Sequence, residues 1–224
     1  MRRQEKQRMA SIRDRAQRLK SALLVWAALL ALNGVFGLAY VAFEFEDLWI
    51  ELGVSLLGLA LVIPFGFHDV SLRQWLQKPK KAMTWAFVPV VWLSFAVGMA
   101  LYFWVLGFLG AEEINMAELY AESNQGWLLP VILVILLPPL TEEWFFRGVL
   151  QTRLAAVMGQ REALVVQAAL FSVLHMLPLI FLSHFLMGIA LGWLRNRSGS
   201  LWPSILVHTL WNAWVMGEGW LEMT

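Results

Sequence analysis

Three stretches of this chain place side chains able to do chemistry inside otherwise apolar sequence. Glu142, Glu143 and Arg147 directly follow the run Leu128 to Leu137, His175 comes four residues after Phe171, and Asn212 comes four residues after His208. An ionisable group in hydrocarbon costs roughly 2.5 kcal/mol or more, so such groups normally face a bundle interior or a hydrated cavity. On a helix, Glu143 and Arg147 are i,i+4 neighbours and can pair, whereas Glu142 points about 100° away from Glu143. The two carboxylates are therefore expected to have different roles. Glu143 with Arg147 would stay ionised and brace the helix, and the less compensated Glu142 is the candidate general base. The same three residues can also be read as a buried polar clasp with no chemistry. Pro138 and Pro139 lie just ahead and predict a kink or restart near Thr141, which would open the helix to water beside Glu142.

Depth links the three stretches. At a helical rise of about 1.5 Å per residue, Glu142 lies roughly 16 Å from Arg153, His175 roughly 20 Å from Glu162, His208 roughly 12 Å from Ser200 and Asn212 roughly 18 Å from Ser200. Four polar groups on three helices thus share one layer, and each would be costly facing lipid. Two histidines and a carboxylate at one depth can ligate a divalent metal, or hydrogen-bond a water and a developing oxyanion. The expectation is one hydrated site, reached more easily from the cytoplasmic side. His184 is read as a packing residue or support for the site, and His68 as interfacial.

The elements that must position these residues are membrane helices. Of 224 residues, 59% are hydrophobic and 15% charged, and the mean hydropathy of +0.63 exceeds that of ordinary soluble domains. The fold class is all-α, a polytopic transmembrane bundle of about seven spans. Their expected extents are 22–43, 48–67, 83–109, 127–153, 162–177, 179–194 and 200–216. Cysteine is absent, which excludes a disulfide framework, a thiolate metal site and a cysteine nucleophile.

Residues 1–20 form a basic arm that carries eight of the 17 Lys and Arg residues. Placed directly before a span, such an arm is expected to touch anionic lipid headgroups rather than nucleic acid. Residues 21–224 would then be a single bundle, with the catalytic core in 127–216. Connectors alternate in sign: acidic at Glu44, Glu46, Asp47 and Glu51, basic at Arg73, Lys78, Lys80 and Lys81, acidic again at Glu112, Glu113, Glu118 and Glu122, and basic at Arg153 and Arg161. This alternation puts the N-terminus in the cytoplasm and the C-terminus on the opposite side. Gly188 and Gly192 form a small-xxx-small pair suited to close helix packing.

Taken together, Glu142-Glu143-Trp144-Phe145-Phe146-Arg147 resembles the motif EExxxR, Phe171-Ser172-Val173-Leu174-His175 resembles FxxxH, and His208-Thr209-Leu210-Trp211-Asn212 resembles HxxxN. In this order on successive apolar helices they resemble the CPBP family of intramembrane proteases, which includes the type II CAAX prenyl endopeptidases. The resemblance implies hydrolysis of a peptide bond in a membrane-associated protein or peptide. Glu142 would activate the water, His175, His208 and Asn212 would hold that water, a metal or the oxyanion, and Glu143 and Arg147 would support them. Glu142, His175 and His208 are compatible as ligands with Zn2+ or another divalent metal, and equally with a metal-free glutamate mechanism. The setting implied is a bacterial plasma membrane, with lipid and a membrane-associated substrate as partners and no nucleic acid. Two other readings stand beside it: a non-catalytic scaffold or bacteriocin-immunity protein, and an ion-coupled transporter. Against transport, the chain has no inverted repeat and no paired broken helices.

Overall fold

The computed structural model describes residues 2–43, 48–67, 76–79, 82–110, 116–121 and 126–222. His68 and the connector charges Glu44, Glu46, Asp47, Arg73, Lys80, Lys81, Glu112, Glu113 and Glu122 lie outside the described residues. Among those that are described there is no strand. The helices are α1 (Arg2–Phe43), α2 (Leu48–Phe67), α3 (Phe87–Phe108), the short α4 (Met116–Ala121), α5 (Leu128–Met158), α6 (Gln160–Leu174), α7 (Phe181–Ser198) and α8 (Trp202–Glu222). Each of the seven apolar runs becomes a helix. Four stretches are long and apolar enough to cross a bilayer, namely Met9–Phe43, Thr84–Phe108, Leu128–Met158 and Pro178–Ser198, with Leu48–Pro64 a shorter apolar helix. α6 has 15 residues and so rises only about 22 Å, less than the hydrocarbon thickness of about 30 Å.

Burial is inverted relative to a water-soluble protein. Val35, Leu38, Val41, Val97, Leu101 and Phe108 are exposed, while Glu143, Arg147, Gln151, Gln167, Arg195 and His208 are buried. Apolar residues outside and paired polar residues inside are what a hydrocarbon solvent selects. The chain is an integral membrane protein.

The basic arm is not a separate element. α1 runs unbroken for 42 residues, so the arm is the N-terminal half of the helix whose second half is the first span. It is pinned to the end of α5, where an Arg153 Nη1 donates to the Arg18 carbonyl at 2.9 Å and to Ser21 Oγ at 3.2 Å.

α5 is continuous through Pro138 and Pro139, so of the expected kink or restart the restart does not occur. The strain is absorbed by two wide-wound, π-helical stretches, Val131–Leu136 before the prolines and Glu143–Leu150 after Glu142. Neither proline has an N–H, so the Val134 carbonyl loses its donor in both i→i+4 and i→i+5 winding. Asn212 of α8 supplies the replacement, its Nδ2 donating to Val134 O at 2.8 Å. Thr141 Oγ1 similarly returns to the Leu137 carbonyl at 2.9 Å.

α6 ends at Leu174 rather than Leu177, because the last turn tightens and Met176 takes a left-handed φ of 52° ahead of Pro178. His175 therefore stands at the mouth of this turn and not within the helix. α7 then packs back on α6 at very short range. A Cβ built on Gly188 would come within 2.8 Å of Ala168 Cα, and one on Gly192 within 2.7 Å of Gln167 Nε2. The space the glycines leave is used for hydrogen bonds: Gln167 Nε2 donates to Gly188 O at 2.8 Å and Gln151 Nε2 to Gly192 O at 3.2 Å. Interhelical bonds of this kind to backbone carbonyls are a principal glue between membrane helices.

Gly188→Ala is expected to lower stability in detergent by about 1–3 kcal/mol, because the obstructing atoms belong to backbone and cannot move aside. Gly98→Ala, whose added Cβ meets nothing within 4 Å, is the matched control and should leave thermal unfolding unchanged or slightly raised.

Candidate active site

α5, α6, the turn after α6, α7 and α8 converge on one buried ion pair. Arg147 Nη1 donates to Glu143 Oε1 at 2.8 Å, and both side chains are fully buried. The i,i+4 pairing expected from the sequence is present although the backbone here is wound more widely than an α-helix. The same Glu143 oxygen accepts from His208 Nδ1 at 2.9 Å. Because that carboxylate can only accept, His208 carries its proton on Nδ1 and presents Nε2 elsewhere. Nε2 faces Glu142 Oε2 at 4.0 Å, too far for a direct hydrogen bond.

The remaining charge of Arg147 is met by an aromatic face. Its Cζ lies 4.2 Å from the Phe171 ring centroid, while Nε and Nη2 have no hydrogen-bond partner among the described residues. A desolvated guanidinium over a ring gains about 2 kcal/mol or more. Phe171 also touches each histidine of the site, with centroid distances of 4.9 Å to His175, 6.1 Å to His184 and 6.0 Å to His208. In the FxxxH stretch the phenylalanine is thus the packing centre of the site. The four-residue spacing by itself implies only that it shares a helix face with His175.

His175 Nδ1 donates to its own Phe171 carbonyl at 2.9 Å, and His184 Nδ1 donates to the Ile180 carbonyl at 3.0 Å. Both rings therefore expose Nε2, as His208 does. His175 and His184 are neighbours, with ring centroids 4.1 Å apart. His184, expected as a packing residue or support for the site, lies directly beside His175. The tight turn at Pro178 folds α7 back so that a residue nine positions further on lies beside His175, which spacing along one helix does not reveal.

Asn212 sits on α5 through Val134 O, one donor engaged and one remaining, rather than on either glutamate. Glu142 is the outlier of the group. Its Oε2 is buried yet has no hydrogen-bond partner among the described residues, and its side chain lines a cavity of about 120 Å³ between α1, α2 and α5. As to a metal, the histidines have the orientation a ligand needs, with Nδ1 tied and Nε2 free. Yet among the described residues no three His, Asp or Glu side chains converge to hold an ion, so Glu142, His175 and His208 do not fit a three-ligand centre in this arrangement.

Residues 124–214 match the family model described as type II CAAX prenyl endopeptidase Rce1-like. This segment is Rce1-like. It contains all three motifs, EExxxR at 142–147, FxxxH at 171–175 and HxxxN at 208–212, and agrees with the resemblance read from them. Over these residues the chain is similar to the type II CAAX prenyl endopeptidases. No curated protein and no solved structure matches the chain. The Rce1-like segment begins just before α5 and ends within α8, so α1, α2 and α3 lie outside it.

The two glutamates should separate in a stability measurement. Glu143→Gln leaves Arg147 buried without its partner and is expected to cost about 3–5 kcal/mol. Glu142→Gln removes a carboxylate whose buried Oε2 has no hydrogen-bond partner among the described residues and should leave unfolding in detergent unchanged or shifted upward. Equal destabilisation by the two variants would contradict the division of roles.

Proposed function

We propose that this protein is an intramembrane endopeptidase that hydrolyses a peptide bond in a membrane-associated protein or peptide, with Glu142 activating the water. The observation that carries the reading is the pair of acceptors, Glu142 Oε2 and His208 Nε2, facing each other at 4.0 Å beside a cavity. A water between them would donate one hydrogen to each, which points an oxygen lone pair away from both and toward a bound carbonyl. Attack forms the C–O bond as Glu142 takes the proton. Collapse of the tetrahedral intermediate breaks the C–N bond, and the same carboxyl returns the proton to the leaving amine.

Glu143 contributes through His208. By accepting from Nδ1 it sets the tautomer and the ring angle, a positioning role, and Arg147 anchors the Glu143 carboxylate for that purpose. The second amide N–H of Asn212 and the free edge of His175 are the remaining polar groups for the substrate oxyanion or the water. Glu142, His208 and His175 have the donor chemistry for zinc, and no step above is routed through a metal. We place the protein in a bacterial plasma membrane with the Arg-rich N-terminal end cytoplasmic, in contact with lipid and not with nucleic acid.

With purified protein and a membrane-tethered peptide library, Glu142→Gln and His208→Ala are each expected to lower cleavage by at least about 10²–10⁴-fold while remaining folded. Wild type that cleaves no better than these variants would leave a scaffold or transporter as the better reading. Treatment with a chelator is expected to leave cleavage intact; loss of activity that zinc restores would instead make Glu142, His175 and His208 ligands.

A further inference from the structure

We infer that α1 and α2, outside the Rce1-like segment, form the substrate-recognition wall opposite Glu142. In this wall Asn33 and Ser55 hold the peptide backbone, and Gly58 leaves room for one substrate side chain. The recognition role rests on Glu142 hydrolysing a peptide. Asn33 of α1, Ser55 and Gly58 of α2, and Thr141 and Glu142 of α5 line one cavity of about 120 Å³.

The polar groups of this cavity divide unequally. Thr141 spends its hydroxyl on the Leu137 carbonyl. Neither the Asn33 amide nor the Ser55 hydroxyl makes a hydrogen bond to another described residue. An amide carries two donors and an acceptor, and leaving it unmatched in a membrane interior is costly, so its presence in an otherwise apolar helix points to a partner that arrives with the substrate.

Register supports this placement. Ser21 of α1 and Arg153 of α5 touch at 3.2 Å, which sets the two helices level. From that contact Asn33 lies roughly 18 Å along α1 and Glu142 roughly 16 Å along α5. The amide and the carboxylate therefore occupy one layer, facing a common space. An extended peptide backbone offers the N–H and C=O that an amide and a hydroxyl complement, and it must be extended for its carbonyl to be attacked.

The size of the space sets a steric limit. The space of about 120 Å³ is smaller than the roughly 150 Å³ buried cavity that takes benzene, so it favours a side chain of about leucine size over an indole. Gly58 controls that room. A Cβ there would meet Leu29 Cδ2 at 3.5 Å, an ordinary contact, and both residues line the cavity, so a larger residue at 58 takes up room in it.

The test uses the full chain in detergent or nanodiscs with two readouts. Cleavage is measured on membrane-tethered peptides that differ at one position (Ala, Leu, Phe or Trp), and binding of the same peptides is measured on Glu142→Gln protein. Asn33→Ala is expected to raise KM about 3–10-fold with little change in kcat, and Asn33→Ser to recover part of the loss. Gly58→Leu should shift preference from Leu to Ala peptides by about tenfold or more in both cleavage and binding. If cleavage proceeds with KM and peptide preference unchanged in both variants, the wall is overturned and the endopeptidase stands. If the preferences appear in binding while nothing is cleaved, the recognition wall stands and the hydrolytic reading fails. If peptides are neither bound nor cleaved, both are overturned.

Discussion

A guanidinium removed from water has to be neutralised by the protein around it, and the architecture of this bundle's second half follows from how Arg147 is neutralised. Isolated in a low-dielectric interior the ion would cost several kcal/mol, more than most single interactions can return. Three elements share the task. α5 supplies Glu143 one turn away, α6 places the Phe171 ring against the cation, and α8 brings His208 onto the same carboxylate oxygen. Glu143 and Arg147 pair within α5, but the ion pair is covered and its carboxylate shared only when α6 and α8 are docked against it. The ion pair acts less as a local brace for α5 than as the point where the helices are registered to one another.

That registration has a chemical by-product. Once Glu143 has claimed the Nδ1 proton of His208, the opposite nitrogen is left free and faces Glu142. Adjacent residues in sequence thereby become unlike in function: one carboxylate is saturated by a cation and an imidazole, and its neighbour is left with an oxygen that has no hydrogen-bond partner among the described residues. The backbone shows a comparable economy. Pro138 and Pro139 deprive Val134 of its donor, and the Asn212 amide replaces it from α8, so a defect in one helix becomes a tie to another. In hydrocarbon no water is at hand to satisfy such a carbonyl, which makes these ties obligatory.

The bundle also has a division along the chain. The Rce1-like segment from 124 to 214 contains the ion pair, the three histidines and Glu142, whereas the cavity that Glu142 faces is closed on its other side by α1 and α2. Contact between Arg153 and the Arg18 and Ser21 region sets α1 at a defined height against α5. Chemistry and its surroundings are thus contributed by different parts of one polypeptide.

Much of this was legible in the residues alone. Composition and the seven apolar runs determined an all-α membrane bundle, because only helices of sufficient apolar length satisfy their own backbone in lipid. The i,i+4 spacing determined the Glu143–Arg147 pair, and counting rise per residue brought Glu142, His175, His208 and Asn212 to one layer, since depth along a helix is nearly independent of neighbours. What depends on rotation about helix axes and on loop direction was decided only by tertiary packing. The sequence could not say that His208 would bind Glu143 and merely face Glu142, that the turn at Met176 would return His184 to His175, that Asn212 would be drawn to the proline-vacated carbonyl, or that α5 would widen rather than break. Depth is a one-dimensional quantity fixed by bond geometry, whereas which side chains meet at that depth is set by the mutual rotation of several helices, and that is chosen by the whole set of buried polar groups seeking partners at once.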